Sequence, residues 1–360
     1  MSSSPSTLGP ALTRYSALDA LRGVAVLMVL YGHVFAGAGV QLTGNAFMPV
    51  PWIRQSISTP LGIIQDFGWM GVCLFFLISG FVITNSARQE PFRVFAIRRL
   101  FRILPPLAIT VLLVAVTDRV SGVQRPLTDY LQGLSLSGYF TTPQVIVIHA
   151  AWTLVIEVLF YTLIAIVSPW LRGGRPVVGI ALASLLPPLA IVFSRDFGPS
   201  FFLFATSMAY LPVLLIGSTI YLSKATSTGL GMSLLIVSAN FAVFLLGLHR
   251  IHTAFLPIDN SYLLSVAYAI TLFVLCIDRG GPRPLRFVGD ISYSLYLIHG
   301  SIGLIAMRWA LGAKLGQFAP WLTCAVCIAV AWLMCLAIER PAIAAGKRLA
   351  GGQRPGTVLP

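Results

Sequence analysis

Charge is scarce in this 360-residue chain. Asp, Glu, Lys and Arg make up 10% of it, where a soluble globular protein carries roughly 25%. Acid is scarcer still, with 11 Asp and Glu against 24 Lys and Arg. So few ions exclude an ordinary water-soluble domain. Cysteine is also sparse, and Cys73, Cys276, Cys324, Cys327 and Cys335 all lie in apolar stretches, so no disulfide framework is expected. Cys324 and Cys327 form a C-x-x-C, but the run WLTCAVCIAVAWLMCLAIE offers neither a second ligand pair nor a neighbouring base, which leaves packing as the expected role. There is no Gly-rich phosphate loop, no internal repeat, and no low-complexity tract beyond the first ten residues and the tail after Gly351.

What is present is apolar. Hydrophobic residues make up 57% of the chain and mean hydropathy is +0.87. A membrane's hydrocarbon core takes about 20 helical residues to cross, because only a helix or a closed barrel satisfies its own backbone there. Apolar runs of that kind fall near Leu18–Phe35, Gly62–Thr84, Phe101–Thr117, Val145–Pro169, Val177–Phe193, Phe202–Leu222, Leu230–Leu248, Tyr262–Ile277, Ile291–Leu311 and Pro320–Ile338. The expected fold is an all-α integral membrane protein, a bundle of about ten transmembrane helices. A short tail over 1–16 precedes the membrane domain of 17–340, and a second tail covers 341–360. Arg14 before an apolar run loosely resembles a signal peptide, but Asp19, Arg22 and His33 interrupt that run, so no cleavage is expected.

The formal charge of +13 is spread in short clusters between apolar runs, which excludes a nucleic-acid-binding domain and fits membrane orientation and an anionic ligand. Cytoplasmic loops collect Lys and Arg. The strongest cluster, Arg88, Arg93, Arg98, Arg99 and Arg102, follows the second run and marks the cytoplasmic side. Counting alternately from there makes both termini cytoplasmic. The loops Gly37–Gln65 and Asp118–Gln144 then fall on the opposite face.

Ionisable groups within the runs are functional candidates, since lipid excludes them unless they are paired or hydrated. Arg22 and His33 are eleven positions apart, a net rotation of about 20° on an α-helix, so they share one stripe. Asp19 lies within reach of Arg22 and fits a structural ion pair equally well. His33 has the chemistry of a general base near neutral pH, against the common role of a helical histidine in packing. Glu157, in WTLVIEVLFY, is expected at the depth of His33, where a carboxylate orients and charges an imidazole; a buried Glu held by Tyr or Ser is the alternative. Arg99 and Arg102 share a helix face, and their guanidinium forks suit phosphate, although topology alone needs their charge. Ser79 and Gly80 permit close helix approach or ligand passage. The run GDISYSLYLIHG puts Asp290, Ser292, Tyr293, Tyr296 and His299 at the cytoplasmic start of the ninth span, where capping and interfacial tyrosines also account for them.

Six pieces in order, LDALRGVAVLMVLYGHV, LFFLISGFVI, RRLFRILPP, WTLVIEVLFY, ISYSLYLIH and the closing Glu339-Arg340-Pro341, resemble the acyltransferase-3 family of membrane O-acyltransferases over nearly the whole chain. The resemblance implies a ten-span core in a bacterial inner membrane, and an acyl-CoA co-substrate, usually acetyl-CoA, presented from the cytoplasm. The implied acceptor is a hydroxyl of a carbohydrate or glycoside: exopolysaccharide, lipopolysaccharide or a related compound. It implies that His33 is the catalytic residue and that Arg99 and Arg102 attend the donor. The expected catalytic pair is His33 and Glu157. The expected donor-binding set is Arg22, Arg99, Arg102, Ser79 and Tyr293, with no metal. His33 then deprotonates a sugar hydroxyl or carries the acyl group itself. The competing reading is an exporter of a lipid-linked sugar or small molecule, because intramembrane charge also marks substrate paths.

Overall fold

The computed structural model describes residues 16–251 and 260–351, so the expected N-terminal tail with Arg14 and the last residues lie outside the described part. Among the described residues the secondary structure is helical, with no strand. Helix α1 (Ser16–Leu30) runs through a π-helical stretch, Tyr31–Gly37, into α2 (Ala38–Thr43). A loop with α3 (Val50–Ile53) leads to α4 (Gly68–Gln89), α5 (Phe92–Val120), α6 (Leu127–Ser135) and α7 (Trp152–Arg172). Next come α8 (Pro176–Ala183), α9 (Leu186–Val192), α10 (Pro199–Met208), α11 (Leu211–Ala225), α12 (Leu230–Arg250) and α13 (Asn260–Cys276). The chain closes with α14 (Arg283–Asp290), α15 (Ser292–Ile298), α16 (Ser301–Gly312), α17 (Ala319–Met334), a second π-helical stretch at Cys335–Glu339, and α18 (Arg340–Leu349).

Among the described residues, seven helical stretches are long and apolar enough to cross a membrane: Ser16–Thr43, Gln65–Gln89, Phe92–Val120, His149–Arg172, Pro199–Ala225, Leu230–Arg250 and Gly316–Leu349. Helices α15 and α16 make a further span, bent by 64° at its middle, and Pro176–Val192 and Ser261–Cys276 are shorter apolar segments. Together these segments correspond to the apolar runs of the sequence.

Helix α4 is the axis of the bundle. Its apolar window is 78% buried, against 28% for Leu230–Arg250 and for Gly316–Leu349, and it packs on α1, α7, α11 and α13. Helices in lipid have no hydrophobic drive toward one another, so small residues that let backbones touch decide which pairs meet. A Cβ added to Gly80 would lie 1.9 Å from the Leu214 carbonyl oxygen, and one on Gly217 would lie 2.2 Å from that of Leu77. Thr84 Oγ1 donates to Ser218 Oγ across the same crossing, at 2.8 Å. Helices α1 and α14 meet in the same way, Gly289 against the Asp19 carbonyl and Gly23 against that of Leu285. Cys327 is fully buried and faces Gly303 of α16, as a packing residue does.

Several boundaries move for local reasons. The second span starts at Gly68 rather than Gly62, because Gln65, Asp66 and Phe67 have φ of 50°, 49° and 68°, a left-handed run that no α-helix continues through. The third begins at Phe92 and passes through Pro105 and Pro106 without ending, so Arg93, Arg98, Arg99 and Arg102 belong to one continuous helix, while Arg88 closes the helix before it. The segment expected as a tail from 341 is helical to Leu349, with Gly346 packed on the Phe101 ring of α5.

The crossing of α4 and α11 yields a stability prediction. Val at position 80 must push the Leu214 backbone away, and overpacking of this kind costs about 1–3 kcal/mol or more. Gly80→Val is expected to lower the unfolding temperature in detergent clearly. Gly231→Ala, at a helical glycine with nothing within 4 Å, is expected to leave it within about 0.5 kcal/mol of wild type.

Candidate active site

Five helices wall one cavity of about 820 Å³, counted out to its open mouth. Helix α1 contributes Arg22; α4 contributes Val72, Phe75, Phe76, Ser79, Val82 and Ile83; α5 contributes Arg99, Arg102 and Ile103. Helix α7 contributes Thr153, Leu154, Glu157 and Tyr161, and α15 contributes Ser292, Tyr293, Tyr296 and Leu297. Arg22, Ser79, Arg99, Arg102, Glu157 and Tyr293, separated by up to 271 positions in sequence, thus share one space. From Thr153 to Tyr161 the wall extends about 12 Å along α7. By helix order the three arginines lie at one end with Glu157, Tyr161, Ser292 and Tyr293 and the aliphatic Val82, Ile83 and Ile103, and Val72, Phe75, Phe76, Leu154 and Leu297 lie at the other with the Thr153 and Tyr296 hydroxyls.

The arginine end is a network of opposed charges. Arg22 pairs with Asp19 at 3.8 Å, the i,i+3 contact expected from the sequence, and also feels Arg102, Glu157 and Arg99. Arg102 lies within electrostatic reach of Tyr161, Glu339, Glu157 and Tyr293. Arg99 donates to Ser86 Oγ at 2.6 Å, and its guanidinium lies over the rings of Phe95 and Tyr161, 5.4 and 5.6 Å from their centroids. Its Nε is buried without a hydrogen-bond partner. Tyr161 OH donates to Glu157 at 2.5 Å, and Tyr293 OH donates to the Ile103 carbonyl at 3.0 Å. In the pair Ser79-Gly80, the serine faces the cavity and the glycine makes the helix crossing.

His33 lies outside the cavity wall, on an exposed position of the first span. The shared stripe with Arg22 assumed 100° per residue throughout, but the backbone from Tyr31 to Gly37 is π-helical, and its wider turns re-aim the side chain. His33 Nδ1 bonds to the Val29 carbonyl at 2.9 Å, and its ring meets that of His299 edge to face at 4.9 Å. Glu157 therefore does not hold His33; its bond goes to Tyr161 and its charge faces the arginines. His299 is 4% exposed and neighbours Tyr296, with ring centroids 5.5 Å apart. Tyr296 OH in turn accepts from Thr153 at 3.0 Å. A row of polar groups thus leads from the far end of the cavity through Tyr296 and His299 to His33.

The placement of His299 corrects the expectation for the ninth span. Its polar run does not gather at one membrane face, because α15 carries the chain from α14, which packs against α1, on to the bend. His299 and Gly300 sit at that bend, and a Cβ on Gly300 would meet no heavy atom within 4 Å, so the bend is open beside the imidazole pair. On the other side, Gly32 packs its Cα on the carbonyls of Gln65 and Asp66; an added Cβ would lie 2.8 Å from the first. Arg54 fixes this left-handed segment with two bonds to Asp66, at 2.7 and 2.6 Å.

Thr153 and Tyr161 escaped selection from the sequence, while Tyr296 and His299 were noted only as polar groups of the ninth span and Glu339 only as part of the closing motif. Glu339 is 5% exposed, accepts from Ser294 Oγ at 2.8 Å and interacts electrostatically with Arg102 and Arg22. The signals existed: an acid inside the last apolar run, and the i,i+4 spacing of Glu157 and Tyr161.

The sequence profile of the acyltransferase-3 family, described as an acyltransferase domain, matches residues 15–339, and the chain belongs to that family. It is 27% identical over 90% of its length to Nodulation protein 10 of Rhizobium leguminosarum bv. viciae, 92% of which is covered. No solved structure matches the chain. Family membership decides between the transferase and exporter readings: the protein is a membrane acyltransferase.

Gly32 offers a test of the π-helical support. Gly32→Ala forces either the π-turn or the Gln65 carbonyl to yield, and a misplacement near 1 Å at a reacting group costs about hundredfold in rate. The variant is expected to lose about ten- to hundredfold in acyl-transfer rate while the amount of protein recovered in the membrane fraction stays at the wild-type level.

Proposed function

We propose that the protein moves a short acyl group, acetyl foremost, from acyl-CoA to a hydroxyl of a carbohydrate or glycoside such as exopolysaccharide or lipopolysaccharide. The observation that carries this reading is the polarity of the cavity together with the row from Tyr296 to His33. A ligand with an anionic head and an apolar end matches a pocket that has three guanidiniums at one end and two phenyl rings at the other. The buried, unpartnered Nε of Arg99 marks donor capacity that a phosphate oxygen would take up. Arg22, Arg99 and Arg102 hold the phosphates, Ser79 and Tyr293 line the path of the pantetheine arm, and the arginine end faces the cytoplasm with both termini. Glu157 balances the arginines, which keeps the fork loaded but not collapsed onto itself.

The reaction needs no redox partner. His33 takes the proton of the acceptor hydroxyl, the new oxygen–carbon bond forms at the thioester carbonyl, the carbon–sulfur bond breaks, and the proton passes to the thiolate. Because His33 is exposed beside an open bend while the arginines are at the opposite end of the cavity, donor and acceptor reach the reacting atoms by separate routes.

Membrane vesicles supplied with radiolabelled acetyl-CoA, with label counted in the glycan fraction, test both ends. His33→Ala in inserted protein is expected to reduce labelling by about 10²- to 10⁴-fold with little change in the donor concentration for half-maximal rate. Arg102→Ala is expected to raise that concentration by about tenfold or more. Full labelling by His33→Ala overturns the assignment of the base, and an unchanged donor dependence in Arg102→Ala and Arg99→Ala reduces the arginines to topology.

Acyl length is the third readout. Phe75 and Phe76 close the apolar end, and each buried methylene is worth about 0.8 kcal/mol, or roughly fourfold. Phe75→Val is therefore expected to raise the butyryl-to-acetyl rate ratio by about tenfold, measured by competition between the two thioesters.

A further inference from the structure

Two histidines from opposite ends of the chain meet at the bend of the ninth span, and their hydrogen bonds define their chemistry. His33 Nδ1 lies 2.9 Å from the Val29 carbonyl and His299 Nδ1 lies 2.7 Å from the Tyr296 carbonyl. A carbonyl only accepts, so Nδ1 carries the hydrogen in both rings and Nε2 of each neutral ring is a free lone pair. The rings are 4.9 Å apart at 68°, with an edge of one against the face of the other. His299 is buried and His33 exposed, so the inner ring backs the outer one.

We propose that His299 is a positioning residue for His33. Its Nε2 lone pair stabilises the imidazolium electrostatically once His33 has taken the acceptor's proton, and its ring, packed on that of His33 at 4.9 Å, keeps His33 turned toward the bend. His299 neither gains nor loses a proton; the hydroxyl proton rests on His33 until the leaving thiolate takes it. This role is the one the sequence suggested for Glu157, filled instead by a neutral partner. The inference rests on the reading of His33 as the base.

His299→Phe and His299→Gln separate positioning from packing, because they order oppositely under the two roles. Phe keeps a ring and removes the lone pair; Gln removes the ring and keeps an acceptor. The expected result in vesicles with radiolabelled acetyl-CoA is that His299→Phe loses about tenfold or more in labelling rate while His299→Gln retains the larger share of wild-type rate. CoA binding and unfolding temperature should match wild type in both. Activity in the Phe variant, or equal loss in both, overturns the proposal. If His299→Phe does not reach the membrane fraction, His299→Ala with and without imidazole in the buffer makes the same contrast; restoration by imidazole is expected, and no restoration overturns the role. A silent His33→Ala removes the underlying reading as well, whereas an inactive His33→Ala beside an active His299→Phe removes only the role of His299.

Discussion

Charge taken into hydrocarbon has to be matched by opposite charge or by water, and failing to match it costs several kcal/mol. Three guanidiniums, those of Arg22, Arg99 and Arg102, lie among the helices of this bundle. The groups that answer them come from four separate segments: Asp19 from α1, Tyr161 and Glu157 from α7, Tyr293 from α15 and Glu339 from the π-helical stretch before α18. Satisfying the three arginines together therefore requires that the first, third, fourth, ninth and tenth spans converge. The charge network determines which helices surround the cavity, while the glycine contacts of α4 with α11 and of α1 with α14 determine how closely they approach. Under the proposed reading the same unspent positive charge receives the phosphates of the donor.

Irregular helix marks every turning point of the site. His33 lies in one π-helical stretch and Glu339 ends the other, and His299 ends the half-span at the 64° break. Wide turns cost backbone hydrogen-bond quality and are kept mostly where a side chain must be displaced from the regular helical register. Each is braced from outside the helix that contains it. The first rests on Gln65 and Asp66 through Gly32, with the Arg54 fork holding Asp66; the second is tied to α15 by the bond from Ser294 to Glu339. Non-glycine residues held at positive φ, as Gln65, Asp66 and Phe67 are, cost about 1–3 kcal/mol each and persist where surrounding structure fixes them.

Under the proposed reading, separation of a thioester donor from its acceptor follows from that arrangement. The thioester is a reactive compound, and an open channel through the bundle would expose it to water. Between the cavity and the exposed face stand Tyr296, bonded to Thr153, and His299, packed against Tyr296. These groups fill the junction with rings and at the same time present the polar atoms the transfer requires.

The sequence by itself determined the class of protein, because hydropathy and the scarcity of ions leave a helical membrane bundle as the fold, and because six short motifs in order resemble one family. It also supplied most of the polar cavity residues: an ionisable side chain in an apolar run stands out without any coordinates, which is why Arg22, Glu157, Arg99 and Arg102 were legible. The tertiary structure alone decided what those residues face. A helical wheel drawn at constant pitch pointed His33 toward Arg22 and Glu157, but one π-turn cancels such arithmetic, and no propensity scale marks where it occurs. The partnership of His33 with His299 was illegible for a similar reason, since the residues are far apart in the chain and the bend that joins them depends on how α14 packs against α1. Pattern along a chain reports which groups lipid would reject; only the packed bundle reports which of them relieve one another.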